Sequence, residues 1–130
     1  MPTSLRDAWA DLALGGTCLG CARPGRLLCR PCEAALPGLA RPAWPSPTPA
    51  GLVPPYAAGD YEGTLRALVL GLKEHRLLAL RRPLGRLLAT ADEATGAGGP
   101  VALGPVPSRA SRLRQRALDS TYEITAVAGA

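Results

Sequence analysis

The 130-residue chain contains no phenylalanine, one methionine and one histidine, and aromatic residues make up only 4% of it. A core must therefore be built mostly from leucine and alanine. The single histidine, His75, has no other histidine and no nearby cysteine to join it at a site, so it is interpreted as a helix-end residue. No stretch reaches the roughly 18 consecutive apolar residues of a membrane span, so no membrane-spanning segment is expected.

Lysine is almost absent too, because fourteen of the fifteen cationic residues are arginine and the exception is Lys73. The net charge of +5 arises in residues 66–130, which hold ten cationic and five anionic residues, whereas residues 1–65 hold five of each. The planar guanidinium suits bidentate contacts with phosphate. Arginine-rich composition also arises from nucleotide bias, so charge alone assigns no ligand.

The only cysteines form two Cys-x-x-Cys pairs, which are Cys18 with Cys21 and Cys29 with Cys32. Two such pairs facing each other supply the four sulfur ligands of a tetrahedral zinc site. Gly20 and Gly25 permit the tight backbone that lets amide groups point at the sulfurs. A site with four protein ligands leaves no position for water, so the pattern predicts structural Zn²⁺.

Cysteine pairs also serve redox chemistry and disulfide bonding. A redox site needs one pair at the start of a helix that follows a strand, and a second pair close by is not needed for it. Disulfides need an oxidising compartment, and residues 1–17 show no secretory signal pattern. We therefore expect a zinc protein in the reducing cytoplasm, with a redox protein as the less favoured alternative.

The order of patterns predicts three parts. Residues 1–36 are predicted to contain a short amphipathic helix, starting near Ser4, and the zinc ribbon, with Pro31 opening a further short helix. Seven of the nineteen residues from 37 to 55 are proline, which excludes a helix or a central strand and predicts an extended linker. Residues 56–130 are predicted to form a partial α/β domain.

Apolar periodicity and capping signals predict the elements of that third part. A short strand and a turn are predicted at 56–63, followed by a helix with a buried apolar stripe. A second helix is predicted to begin at Pro83, with Arg86 facing outward. A buried strand at 101–103 and a final helix, which begins at a capping box of Ser120 and Glu123, complete the prediction. The predicted inward residues are Leu65, Leu68, Val69 and Leu72 in the first helix, Leu84, Leu87, Leu88 and Ala91 in the second, and Tyr122, Ile124 and Val127 in the last.

Four arginines lie within eight residues at Arg109, Arg112, Arg114 and Arg116. Their spacing gives no single helical face, and they follow the predicted strand and two prolines. A loop leaving the carboxyl edge of a sheet is where open α/β folds bind ligands, so the segment is predicted to bind pyrophosphate or nucleic-acid phosphates. A solvated basic segment is the alternative.

Taken together, the cysteine ribbon, the proline-rich segment, Tyr61-Glu62-Gly63-Thr64-Leu65-Arg66, Gly71-Leu72-Lys73, Pro105-Val106-Pro107-Ser108 and Arg114-Gln115-Arg116 resemble the ComF family. That family, named for natural competence, couples a zinc ribbon to a type I phosphoribosyltransferase domain, and the resemblance spans about Leu5 to Ala128. It implies phosphoribosyl pyrophosphate as substrate, with Mg²⁺. It also implies that Lys73, Arg109, Arg112, Arg114 and Arg116 lie near the pyrophosphate.

Two departures from the family pattern limit what the resemblance implies. Ala117 stands where the family has a glycine after arginine, and the strand ending in two acids before a Thr/Gly-rich loop is missing. Asp92 and Glu93 do not replace it, because they follow a helical pattern. We therefore expect the first part of a ComF-like protein, with an incomplete transferase domain that is inactive alone. The alternative is a zinc-ribbon adaptor that binds single-stranded DNA or a DNA-uptake (competence) protein.

Overall fold

A computed structural model describes residues 16–116 and 118–129, without the side chains of Gln115 and Arg116. The predicted helix near Ser4 lies outside these residues, and so does Ala117, which stands where the family pattern has a glycine. The described elements, in chain order, are α1 (Arg30–Ala34), β1 (Arg41–Pro42), β2 (Tyr56–Ala57), α2 (Gly63–His75), a 3₁₀ helix (Leu78–Leu80), α3 (Arg81–Ala94), α4 (Ala110–Arg116) and α5 (Ser120–Ala128). None of the described helices is long and apolar enough to cross a membrane.

Helix α2 lies at the centre of the core. Its predicted stripe is confirmed, since Leu68 and Leu72 are both 0% exposed and Leu65 and Val69 pack beside them. The helix ends where Arg76 adopts a left-handed conformation, with φ of 55°. The backbone N–H of Arg76 donates to the carbonyl oxygen of Gly71.

Helix α3 begins two residues before Pro83, which tolerates this place because the first-turn N–H groups have no helical partner. Leu84, Leu87 and Ala91 are buried as predicted, and Leu88 is half-buried. Arg86 points outward and donates to the Glu33 carboxylate of α1 at 2.7 Å. The second helix pattern is thus confirmed with an earlier start.

Helix α5 packs closely on α3 through a glycine. A Cβ at Gly85 would lie 2.5 Å from Val127 Cγ1 and 3.1 Å from the carbonyl oxygen of Ile124. An ion pair of 2.8 Å between Arg81 and Glu123 also joins the two helices. Ile124 and Val127 are half-buried, whereas Tyr122, which was predicted to be buried, is 60% exposed.

The predicted strand at 101–103 is wrong. These residues adopt no strand, and Val101 is 47% exposed. The sheet of the described residues has two short antiparallel strands, β1 and β2, in which Arg41 pairs with Ala57 and Pro42 with Tyr56. An apolar run becomes a strand only beside a partner strand. β1 lies in the predicted linker, and Pro42 is tolerated there because both strands are edges.

Two predictions about the last part of the chain are also corrected. The arginine segment forms helix α4 and not a loop. Helix α5 is capped by Asp119, whose carboxylate accepts from the backbone N–H groups of Thr121 and Tyr122, and not by Ser120. Ser120 is buried instead, and Glu123 bonds Arg81. The carboxylate of aspartate is among the best N-cap groups.

The main cluster of buried residues crosses the predicted boundaries between parts. Cys18 and Leu28 of the ribbon belong to the same cluster as Leu68, Leu72, Leu80, Leu84 and Leu87. The ribbon is therefore packed on the helices through apolar side chains. The division at residues 36 and 55 stays a prediction.

We expect Gly85→Ala to destabilise the protein, because the added Cβ forces α3 and α5 apart. Over-packing of this kind costs about 1–3 kcal/mol, against a gain of about 1 kcal/mol in helix propensity. The free energy of unfolding from urea titration measures the difference. Gly98→Ala is the control, since a Cβ there meets nothing within 4 Å. A Gly85→Ala protein as stable as the wild type would contradict the close packing.

Candidate metal centre

The first cysteine pair lies in a tight turn closed by backbone hydrogen bonds. Cys18 N–H donates to Arg23 O and Ala22 N–H donates to Cys18 O, both at 2.8 Å. Gly25, with φ of +119°, completes the turn, and its N–H donates to Gly16 O. Ala22 also adopts a positive φ of 59°, a conformation that costs an alanine about 1–2 kcal/mol. No sequence signal indicated this strained alanine.

The second pair lies at the start of α1. Cys29 is the N-cap residue in an extended conformation, Pro31 occupies the first turn as predicted, and Cys32 lies inside the helix. A hydrogen bond of 2.9 Å from Leu19 N–H to Leu27 O joins the two pairs. The local structure thus turns both pairs toward one point.

The four sulfurs have the spacing of a tetrahedral zinc site. All four Sγ atoms lie within 4.8 Å of one another, and Cys29 Sγ is 3.6 Å from both Cys18 Sγ and Cys21 Sγ. With Zn–S bonds of about 2.3 Å, an ideal tetrahedron has S···S edges of about 3.8 Å. The cysteines form no disulfide. Cys18, Cys21, Cys29 and Cys32 therefore fit one Zn²⁺ with no protein ligand missing.

Backbone amides favour a thiolate at the buried end of the cluster. Burial of Cys18 opposes ionisation, but N–H groups of Cys29, Cys21 and Gly20 donate to its sulfur and lower the pKa of this thiol to about 6. A hydrogen bond with the Cys29 thiol, together with burial, raises the pKa of Cys32 to about 12. Four thiolates this close repel one another, so a bound cation would replace the remaining thiol protons.

The site packs directly against α2. A Cβ at Gly20 would lie 2.8 Å from Cys32 Sγ and 3.1 Å from Thr64 Oγ1 in the first turn of α2. A Cβ at Gly71 would lie 3.1 Å from Leu19 Cδ1. Gly20 is therefore needed for space beside a ligand sulfur, whereas the sequence suggested only backbone freedom. The metal centre and the core share this contact.

The structure places the predicted pyrophosphate residues on two separate helices. Lys73 is half-buried near the end of α2, and His75 is exposed in the same last turn, where a helix-end role was predicted. Arg109 precedes α4, and Arg112 and Arg114 lie on it, all three exposed. Among the predicted site residues whose side chains are described, the four cysteine sulfurs converge on one point.

Sequence reasoning missed two links between elements. The ion pair between Glu33 and Arg86 joins α1 to α3. Asp119 accepts hydrogen bonds from Ser108 as well as capping α5. Neither pair has a sequence signal, because its partners are far apart in the chain and the fold alone brings them together.

Comparison of the chain with protein-family models, curated proteins and solved structures finds no match. The metal centre therefore stands on the sulfur geometry and on the donor chemistry of cysteine.

Protein purified without chelator is expected to contain one zinc per chain by elemental analysis. Cys29→Ser should lose the metal, because Cys29 lies beside two of the other three sulfurs, and residues 16–36 should then lose protection from hydrogen exchange. Zinc binding supplies folding free energy in so small a module. A metal content well below one, with two disulfides by mass spectrometry, would contradict the site.

Gly20→Ala is expected to weaken zinc binding, because the new methyl group overlaps Cys32 Sγ. Competition with a chromogenic chelator would measure the loss, and we expect at least about tenfold, the scale on which changes around metal ligands act. Gly38→Ala is the matched control, since a Cβ there meets nothing within 4 Å. Equal zinc affinity in the two variants would show that Gly20 is not required.

Proposed function

We propose that this chain is a ComF-like zinc-ribbon protein that binds a diphosphate ligand through its arginine segment. The observation that carries the proposal is the four-sulfur cluster, which occurs where the resemblance requires a zinc ribbon. The implied ligand is phosphoribosyl pyrophosphate with Mg²⁺. In this proposal the Zn²⁺ is structural, and the arginines contact the phosphates.

Charge and exposure support phosphate binding. Residues 66–130 carry the whole net charge of +5, and Arg109, Arg112 and Arg114 are exposed to solvent. Charge-assisted arginine–phosphate hydrogen bonds are roughly twice as strong as neutral ones. Three such side chains within one short segment suit a ligand with several phosphate oxygens.

In this proposal the 130 residues bind the diphosphate ligand but do not transfer its phosphoribosyl group. Transfer in this class requires a loop that holds the ribose and the phosphate in place, and catalysis depends on such positioning. The acidic pair Asp92 and Glu93, the one sequence candidate for that loop, lies at the end of α3. The two acids therefore lie on a helix, whereas this class has them at the end of a strand that leads into the loop.

A second candidate is an adaptor that binds nucleic acid or a DNA-uptake protein. The observation favouring it is that the arginines lie on and beside an exposed helix, and not on a loop at the edge of a sheet. An exposed basic helix suits an extended polyanion. Binding of that kind weakens steeply with salt because counterions are released.

Titration with inorganic pyrophosphate and with a short oligothymidylate, across a salt series, tests and separates the two candidates. We expect pyrophosphate to bind with a Kd in the millimolar range or just below, about −4 kcal/mol. Arg112→Ala with Arg114→Ala should remove most of the binding. The control is Arg23→Ala with Arg66→Ala, which removes the same charge from exposed positions elsewhere.

Tight oligothymidylate binding that falls with salt, without pyrophosphate binding, would replace the first candidate by the second. Binding of neither anion would contradict the first candidate and the nucleic-acid form of the second. Equal losses in the two double variants would show that net charge, and not the arginine segment, attracts the ligand.

A further inference from the structure

Both ends of the arginine segment meet at one carboxylate. Ser108 immediately precedes Arg109, and Asp119 lies eleven residues after Ser108, beyond the end of the segment. Ser108 N–H donates to Asp119 Oδ2 at 3.4 Å, and Ser108 Oγ donates to Asp119 Oδ1 at 3.3 Å. The two residues that flank the arginine segment and its helix α4 are thus joined to each other.

The same carboxylate fixes the start of α5. Asp119 Oδ1 accepts from Thr121 N–H at 3.2 Å and from Tyr122 N–H at 3.3 Å. Burial disfavours the charged form, but these bonds and those from Ser108 hold the pKa of Asp119 below its usual range. Asp119 is therefore a charged group that joins Ser108, at the start of the arginine segment, to helix α5.

Helix α5 is in turn anchored to the core. Val127 packs against Gly85 of α3, and Glu123 pairs with Arg81. Buried Leu84 and Leu87 on the same helix α3 belong to the main cluster. A continuous set of contacts therefore runs from the core through α3 and α5 to Asp119 and Ser108, which flank the arginine segment.

We propose that Asp119 and Ser108 are positioning residues that hold the arginine segment in place for anion binding, although neither touches the anion. The proposal rests on the proposed binding of phosphate ligands by this segment. A segment whose two flanking residues are hydrogen-bonded to each other has less conformational freedom to lose when its side chains contact a ligand, so binding costs less entropy.

This role makes a prediction opposite in sign to simple electrostatics. Asp119 is an anion beside a cationic segment. If the electrostatic potential alone determined the affinity, removing its charge should therefore strengthen anion binding. If Asp119 positions the segment, removing its bonds to Ser108 should weaken binding. A pair of variants with the same charge separates the two effects.

The pair is Asp119→Asn and Asp119→Ser, since both remove the charge and both residues are good N-caps for α5. Asparagine has the shape of aspartate and keeps the oxygen that accepts from Ser108 Oγ, while its amide nitrogen replaces the oxygen that accepts from Ser108 N–H. The shorter serine side chain reaches neither group of Ser108. Ser108→Ala is the third variant, because it removes one bond and changes no charge. Circular dichroism and thermal unfolding check that all three variants keep α5.

Affinity for inorganic pyrophosphate and for a short oligothymidylate is measured at one salt concentration. We expect Asp119→Ser to bind about three- to tenfold more weakly than Asp119→Asn, and Ser108→Ala to bind more weakly than wild type, as expected for losing one hydrogen bond. Trypsin cleavage after Arg112 and Arg114 should also be faster in Asp119→Ser, a measurement that needs no ligand.

Equal affinity and equal cleavage rates in the two Asp119 variants would overturn the positioning role, as would wild-type behaviour of Ser108→Ala in both assays. A wild-type protein that binds neither anion would overturn the proposed function. The cleavage rates would then decide alone whether the pair holds the segment.

Discussion

The convergence of four cysteine sulfurs is the constraint on which the rest of the structure depends. The described ribbon, residues 16–36, buries only Cys18 and Leu28, too little apolar surface to fold alone. Its turns include an alanine at positive φ, which local preferences do not favour. A metal bound by all four sulfurs would supply the missing stability and would fix the surface that Leu19 and Gly20 present to α2.

Glycine contacts explain how a chain without phenylalanine packs its elements. Gly20 lies against Cys32 and Thr64, Gly71 against Leu19 and Leu80, and Gly85 against Val127. At each place the missing side chain lets another element approach closely, so leucine and valine can fill the space that a larger aromatic residue fills elsewhere. Contacts of this kind join the ribbon to α2, α2 to the 3₁₀ helix that precedes α3, and α3 to α5.

Features with a local signal were predictable, and those that depend on distant partners were not. The cysteine spacing predicted the four-sulfur cluster, and the leucine periodicity predicted α2 and α3, because both patterns are contained in a few turns of chain. The strand at 101–103 failed because a strand needs a neighbour, and the helical form of the arginine segment was missed. Ser120 and Glu123 have the sequence pattern of a capping box, but the neighbouring Asp119 is the N-cap of α5.

Hydrogen exchange of α2 with and without a strong zinc chelator tests most directly whether the metal centre organises the core. We expect chelation to remove protection from residues 16–36 and also from the first turns of α2, around Thr64 and Leu68, because Gly20 lies against both Cys32 and that end of the helix. Unchanged protection of α2 after complete removal of the zinc would show that the core does not depend on the metal centre.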